Sequence, residues 1–110
     1  IRKEEDIRRM ANYLISKVQA QCPGFVVSIE PVESQIGSGA LPIKRLASVG
    51  LKITTASQRR TGKALESLSS AFRDLQIPVI GRISKGALWF DLRCLEDQSQ
   101  FIDNLKSLNF

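Results

Sequence analysis

The sequence predicts an α+β two-layer sandwich: a mainly antiparallel four-stranded sheet with three helices, in the order α-β-β-α-β-β-α. Three observations carry this. Three stretches place their apolar residues at helical spacing. Runs rich in Val, Ile and Leu lie between them and alternate at period two. Pro, Gly and Ser punctuate the joints.

The first helix is expected over about Ile1 to Gln19, with Ile7, Met10, Ala11, Leu14, Ile15 and Val18 on one face. Glu4, Glu5 and Asp6 suit the positive end of its dipole, and Lys17 suits the negative end. Cys22-Pro23-Gly24 stops it. Phe25 to Glu30 reads as a strand that Pro31 ends, followed by a long loop, Ser34 to Pro42. Leu46 to Thr55 is the second strand, with Val49, Leu51 and Ile53 on one face. Thr61 is placed to cap a helix over Gly62 to Leu75. Val79 to Ile83 and Ala87 to Leu92 form a hairpin around Ser84-Lys85-Gly86. A last helix spans about Glu96 to Leu108.

The 110 residues suit one domain, 1–110, of ordinary globular composition. No apolar run reaches the roughly 20 residues of a membrane helix. The start carries no apolar signal-peptide core and no initiating Met. The expectation is a piece of a longer cytoplasmic protein in which Cys22 and Cys94 are reduced thiols, with a disulfide or a chalcogen-carrying thiol as the alternative. Histidine is absent, which argues against a self-contained hydrolase or zinc enzyme. A net charge of +5, from 16 basic and 11 acidic residues, mildly favours polyanionic partners such as RNA.

Several residues invite a chemical reading. Gly37, Ser38 and Gly39 let a backbone approach a ligand closely, although they open no helix and match no phosphate-loop pattern. Arg82 stands among apolar strand residues, where it either meets a carboxylate or phosphate or points to solvent. Arg93 pairs most simply with Asp91. Arg59, Arg60 and Lys63, with Lys44 and Arg45, are either phosphate contacts or solvated loop residues. Trp89 and Phe90 read as core rather than as a base-stacking platform. No lysine lies in a run that promises a Schiff base.

Two segments are more specific. Ser34-Gln-Ile-Gly-Ser-Gly-Ala-Leu-Pro42, followed by Arg45-Leu46, is the first. Pro78-Val-Ile-Gly-Arg-Ile83, continued by Gly86-Ala-Leu-Trp-Phe-Asp-Leu-Arg-Cys-Leu95, is the second. In order, with the closing helix, they resemble the C-terminal end of bacterial selenocysteine synthases, the L-seryl-tRNA(Sec) selenium transferases. The resemblance implies the small C-terminal domain of an aspartate-aminotransferase-like enzyme, packed against a large domain that binds pyridoxal phosphate through its own lysine. It implies conversion of seryl-tRNA(Sec) to selenocysteyl-tRNA(Sec), with selenophosphate as donor and an aminoacrylyl intermediate, by a cytoplasmic homo-oligomer. It offers Gly37, Ser38, Gly39 and Arg82 as substrate-binding residues. Arg82 is the candidate for the small-domain arginine that binds a substrate carboxylate in the broader fold, with an ester, a phosphate or a structural partner as its other possible contacts. No catalytic or cofactor-binding residue is implied within this chain, so the fragment is expected to be inactive alone. Ala56 to Gly62 departs from the family pattern and reads as a variable loop.

Other readings stand beside this one. A related enzyme acting on a small amino acid or an amino-sugar acid would share the fold and cofactor. A free-standing RNA-binding α+β module would suit the charge, but exposed strand aromatics of the kind such sheets use are not expected here. A ligand-binding regulatory domain is a further possibility.

Overall fold

The structure, a computed structural model, describes residues 2–36 and 44–110. Its elements are α1 (Glu4–Gln21), β1 (Phe25–Ile36), β2 (Lys44–Thr55), α2 (Thr61–Arg73), β3 (Arg82–Ser84), β4 (Ala87–Asp91) and α3 (Gln98–Leu105), the predicted order. They build an α+β fold around one four-stranded antiparallel sheet, ordered β1-β2-β4-β3.

α1 buries Ile7, Met10, Ala11, Leu14 and Val18, the stripe its spacing predicts. It runs beyond Gln19 to Gln21, so Lys17 falls outside the last turn. The turn that follows is closed by Phe25 N–H donating to Cys22 O at 3.1 Å. Gly24 takes φ 87° there, a conformation that favours glycine.

Pro31 does not end the first strand. β1 pairs with β2 without interruption from Phe25↔Thr55 to Ile36↔Lys44. The reason lies at the sheet edge. The Gln19 side chain accepts from Val27 N–H at 2.9 Å and its amide donates to Phe25 O at 2.8 Å. Odd-numbered residues of β1 therefore turn their backbone groups away from β2. Pro31 shares that parity, so its missing N–H removes no ladder bond.

Thr61 does not cap α2. The preceding residue, Arg60, adopts φ 50° and makes no side-chain cap. The Thr61 hydroxyl lies 3.3 Å from that of Thr55 instead. The hairpin turn comprises Lys85 and Gly86, at φ 52° and φ 72°, between the paired Ser84 and Ala87. Two left-handed central residues match the right-handed twist of the strands they join. β3 is shorter than expected: strand pairing begins at Arg82, although Val79 N–H is held by Phe72 O at 3.0 Å. α3 starts after Asp97, whose carboxylate accepts from Gln100 N–H at 2.9 Å.

Residues paired across a ladder share a face. Phe25, Val27, Val49, Leu51, Ile53, Leu88 and Phe90 thus point one way, into a core completed by α1, by Leu65, Leu68 and Phe72 of α2, and by Leu105 of α3. The opposite face carries Val26, Ser28, Glu30, Val32, Lys52, Thr54, Trp89, Asp91 and Arg82, and the buried residues of the described helices cluster with the other face instead. Val26 is 49% exposed there. No described helix is long and apolar enough to cross a membrane.

Both cysteines are free. Cys22 is fully buried, and burial pushes its thiol up from 9.0 to about 11. Cys94 is exposed. In native protein an alkylating reagent will therefore modify Cys94 quickly and Cys22 only after unfolding, as counted by mass spectrometry. The raised thiol also has a pH signature. Its contribution to stability is present in full below pH 9 and is lost between about 9 and 11, because only the unfolded thiol ionises readily there. A Cys22→Ala variant should lose that part of the alkaline decline in urea melts.

Candidate functional site

The β1–β2 connection and the entry into β3 lie at the same end of the sheet. The C-terminal end of β1, the start of β2, the start of β3 and the end of β4 all lie there. β1 and β2 continue past the last β4 pair, Gly50↔Asp91, and project as a two-stranded arm. Gly37, Ser38 and Gly39, which fall between β1 and β2 in the sequence, lie outside the described residues.

A hollow of about 290 Å³ opens beside the arm, lined by Val32, Glu33, Gln35, Ile80, Gly81, Arg82, Trp89 and Asp91. Two glycines shape this end. A Cβ on Gly50 would sit 2.5 Å from Phe90 O and 3.3 Å from Val32 Cγ1, so the strands close over a bare backbone. A Cβ on Gly81 would sit 2.6 Å from the Phe90 ring and 2.9 Å from Trp89 O. Gly81 therefore lets the chain enter β3 tight against β4, which brings Arg82 opposite Trp89.

Arg82 is exposed, and no carboxylate among the described residues lies within ion-pair distance of it. Of its two sequence readings, solvent is the observed one, and its guanidinium is open to an external anion. Trp89 is not core. Period two puts Phe90 inside, 4.6 Å from Phe72 between ring centroids, and Trp89 outside. The Trp89 indole N–H donates to Ser84 O at 3.0 Å, and Lys52 Nζ lies 5.4 Å from its ring.

Asp91 and Arg93 do not form the direct ion pair the sequence suggests. Ser34 stands between them: its hydroxyl donates to Asp91 Oδ2, and Arg93 Nε donates to Ser34 Oγ at 3.2 Å. Asp91 Oδ1 accepts from Ser48 at 2.7 Å and from Arg93 N–H at 3.0 Å. The Arg93 side chain is 8% exposed as a residue and donates further to Ala47 O and, at 2.6 Å, to Arg2 O. Arg2 in turn donates to the carbonyls of Arg93 and Leu95. The network thus joins the entry to α1, the arm and the end of β4. Ser34 opened a family-like segment and Ser48 lay between Ala47 and Val49, but nothing in the sequence tied either to Asp91. Only the β1–β2–β4 register places them beside Asp91.

The other basic residues do not gather. Arg59, Arg60 and Lys63 are exposed near the start of α2. Lys44 and Arg45 lie at the far end of β2, a strand about 35 Å long at some 3.3 Å per residue. Arg45 leans 3.9 Å from Glu33. No described group of His, Cys, Asp and Glu forms a metal site.

The described residues form an α+β fold with one helix-covered face, one open face and, at the end of the open face, an arginine with no ion-pair partner among them. The chain belongs to the L-seryl-tRNA selenium transferase family, whose model matches residues 1–96. It is 47% identical over 104 residues to the L-seryl-tRNA(Sec) selenium transferase of Klebsiella pneumoniae strain 342, covering 94% of this chain and 22% of that protein. The Escherichia fergusonii enzyme of the same name is 44% identical over 105 residues, covering 94% of this chain and 22% of its own length. That of Salmonella paratyphi B is 44% identical over 103 residues, covering 93% and 22%. The chain spans about a fifth of the length of these relatives.

Proposed function

We propose that residues 1–110 are the small C-terminal domain of a cytoplasmic, homo-oligomeric selenium transferase that uses pyridoxal phosphate and selenophosphate to convert seryl-tRNA(Sec) to selenocysteyl-tRNA(Sec). The observation that carries this is the 47% identity, across 94% of the chain, to an enzyme named for that substrate and transfer.

The chain's own residues do not fit a cofactor site. Every described lysine is exposed or half-exposed, whereas a Schiff-base lysine needs desolvation or close cationic neighbours. The cofactor is therefore assigned to the large domain of the parent. In this reading the present domain binds and orients. Its open face packs toward the large domain. Arg82 holds an oxygen of the seryl ester or a neighbouring phosphate, and Gly37, Ser38 and Gly39 are the other proposed substrate-binding residues.

Two measurements test it. The isolated chain, mixed with pyridoxal phosphate, should show no stoichiometric near-visible band, while the full-length parent should. A specific band in the fragment would place the cofactor lysine here and overturn the assignment. In the parent, Arg82→Ala should raise KM for seryl-tRNA(Sec) about tenfold, the scale of one hydrogen bond to a charged group. A parent that ignores seryl-tRNA(Sec) and turns over a free amino acid would move the reading to the small-substrate branch.

A further inference from the structure

Arg82 and Asp91 share one hollow and one sheet face, yet they do not pair. Arg82 is opposite Trp89, and Asp91 lies two residues further along β4. That diagonal, typically about 7–8 Å and somewhat less between Cβ atoms, is within reach of a long side chain. Opposite charges so placed attract and can pair. Here the carboxylate is occupied elsewhere: Ser34 and Ser48 donate to it from the side chains of β1 and β2, and Arg93 donates its backbone N–H. Ser48 is 0% exposed and Ser34 5%, so neither donor is a casual surface contact. Arg93 then anchors Ser34 through Nε, and its own guanidinium is tied to the carbonyls of Ala47 and Arg2.

We propose that Ser34, Ser48 and Arg93 are positioning residues that hold the Asp91 carboxylate away from Arg82, so that the Arg82 guanidinium stays free for an anionic or ester oxygen of the substrate. The cluster is a specificity device rather than a generic staple. An internal carboxylate would compete with any substrate oxygen for the same donors, and the network removes that competitor without removing the acid. This inference rests on the reading in which Arg82 meets the substrate.

The test uses the full-length parent with seryl-tRNA(Sec) and selenophosphate. Ser34→Ala combined with Ser48→Ala releases Asp91 to pair with Arg82, and KM for seryl-tRNA(Sec) should rise about threefold, the scale of a partly exposed ion pair. Adding Asp91→Asn removes the competing charge and should return KM to near its original value. A purely structural role would lower the active fraction, measured by active-site titration, and would leave KM unmoved and unrescued. The single Ser34→Ala and Ser48→Ala variants repeat the measurement at smaller perturbation should the double variant fail to fold. If Arg82→Ala raises KM but the serine variants do not, or if Asp91→Asn fails to reverse their effect, the inference is overturned while the reading of Arg82 stands. If Arg82→Ala leaves KM unchanged, both fall.

Discussion

Replacing Arg93 with methionine will destabilise the isolated chain by about 3 kcal/mol, because two carbonyls and a serine hydroxyl lose their donor in a region with little access to water. Those acceptors are Ala47 O, Arg2 O and Ser34 Oγ. Methionine fills much of the volume, so the effect reads lost hydrogen bonds more than a cavity. The start of α1, the arm and the end of β4 will each loosen, since the guanidinium joins all three. Urea unfolding with an unchanged m-value would check this. Arg93→Lys should recover part of the loss, because an ammonium can satisfy some of these acceptors but lacks the planar guanidinium. A loss under 1 kcal/mol for methionine would show that water replaces the guanidinium at no cost and that the network is not structural.

Phe72→Ala will cost still more, about 4 kcal/mol, the usual range for a buried aromatic replaced by alanine. Phe72 is 1% exposed and tilts at 57° against Phe90, across the joint between α2 and the sheet. Leu65 and Leu68, its neighbours on the α2 stripe, are held in helical register and cannot collapse into the space. A domain of this size has only about 5–15 kcal/mol to lose. Urea unfolding should therefore find the variant near the edge of folding at physiological temperature. A loss below 2 kcal/mol would mean that the core repacks around the gap.

Much of the fold was legible in the residues. The α1 and α2 stripes, the Val49, Leu51 and Ile53 face, the turn at Gly24 and the hairpin before β4 all follow from spacing and from glycine's access to positive φ. The errors share a physical cause. Pro31 read as a strand end because a proline in a paired strand removes a ladder bond, but whether the bond exists depends on which edge of the sheet the residue faces. Trp89 read as core because it sits in an apolar run, yet alternation can bury only one of Trp89 and Phe90, and the packing of Phe72 decides which. Thr61 had the chemistry of a cap but spends its hydroxyl on Thr55, a neighbour brought close only by the turn from β2 into α2.

The site divides in the same way. The segments that mark the family are contiguous in the chain, so the sequence alone determined the fold class, the family and the choice of Arg82 as a residue of interest. It could not determine that Arg82 is unpaired, because that depends on where Asp91 spends its hydrogen bonds. Ser34, Ser48, Asp91 and Arg93 lie in three separate strands or just beyond them, and hydrogen bonds among them require the register of β1 on β2 and of β2 on β4. Local propensity acts over a few residues, whereas strand register is a property of the whole packed sheet. That is why the motifs were visible in the chain and the hydrogen-bond network among Ser34, Ser48, Asp91 and Arg93 appeared only in the folded structure.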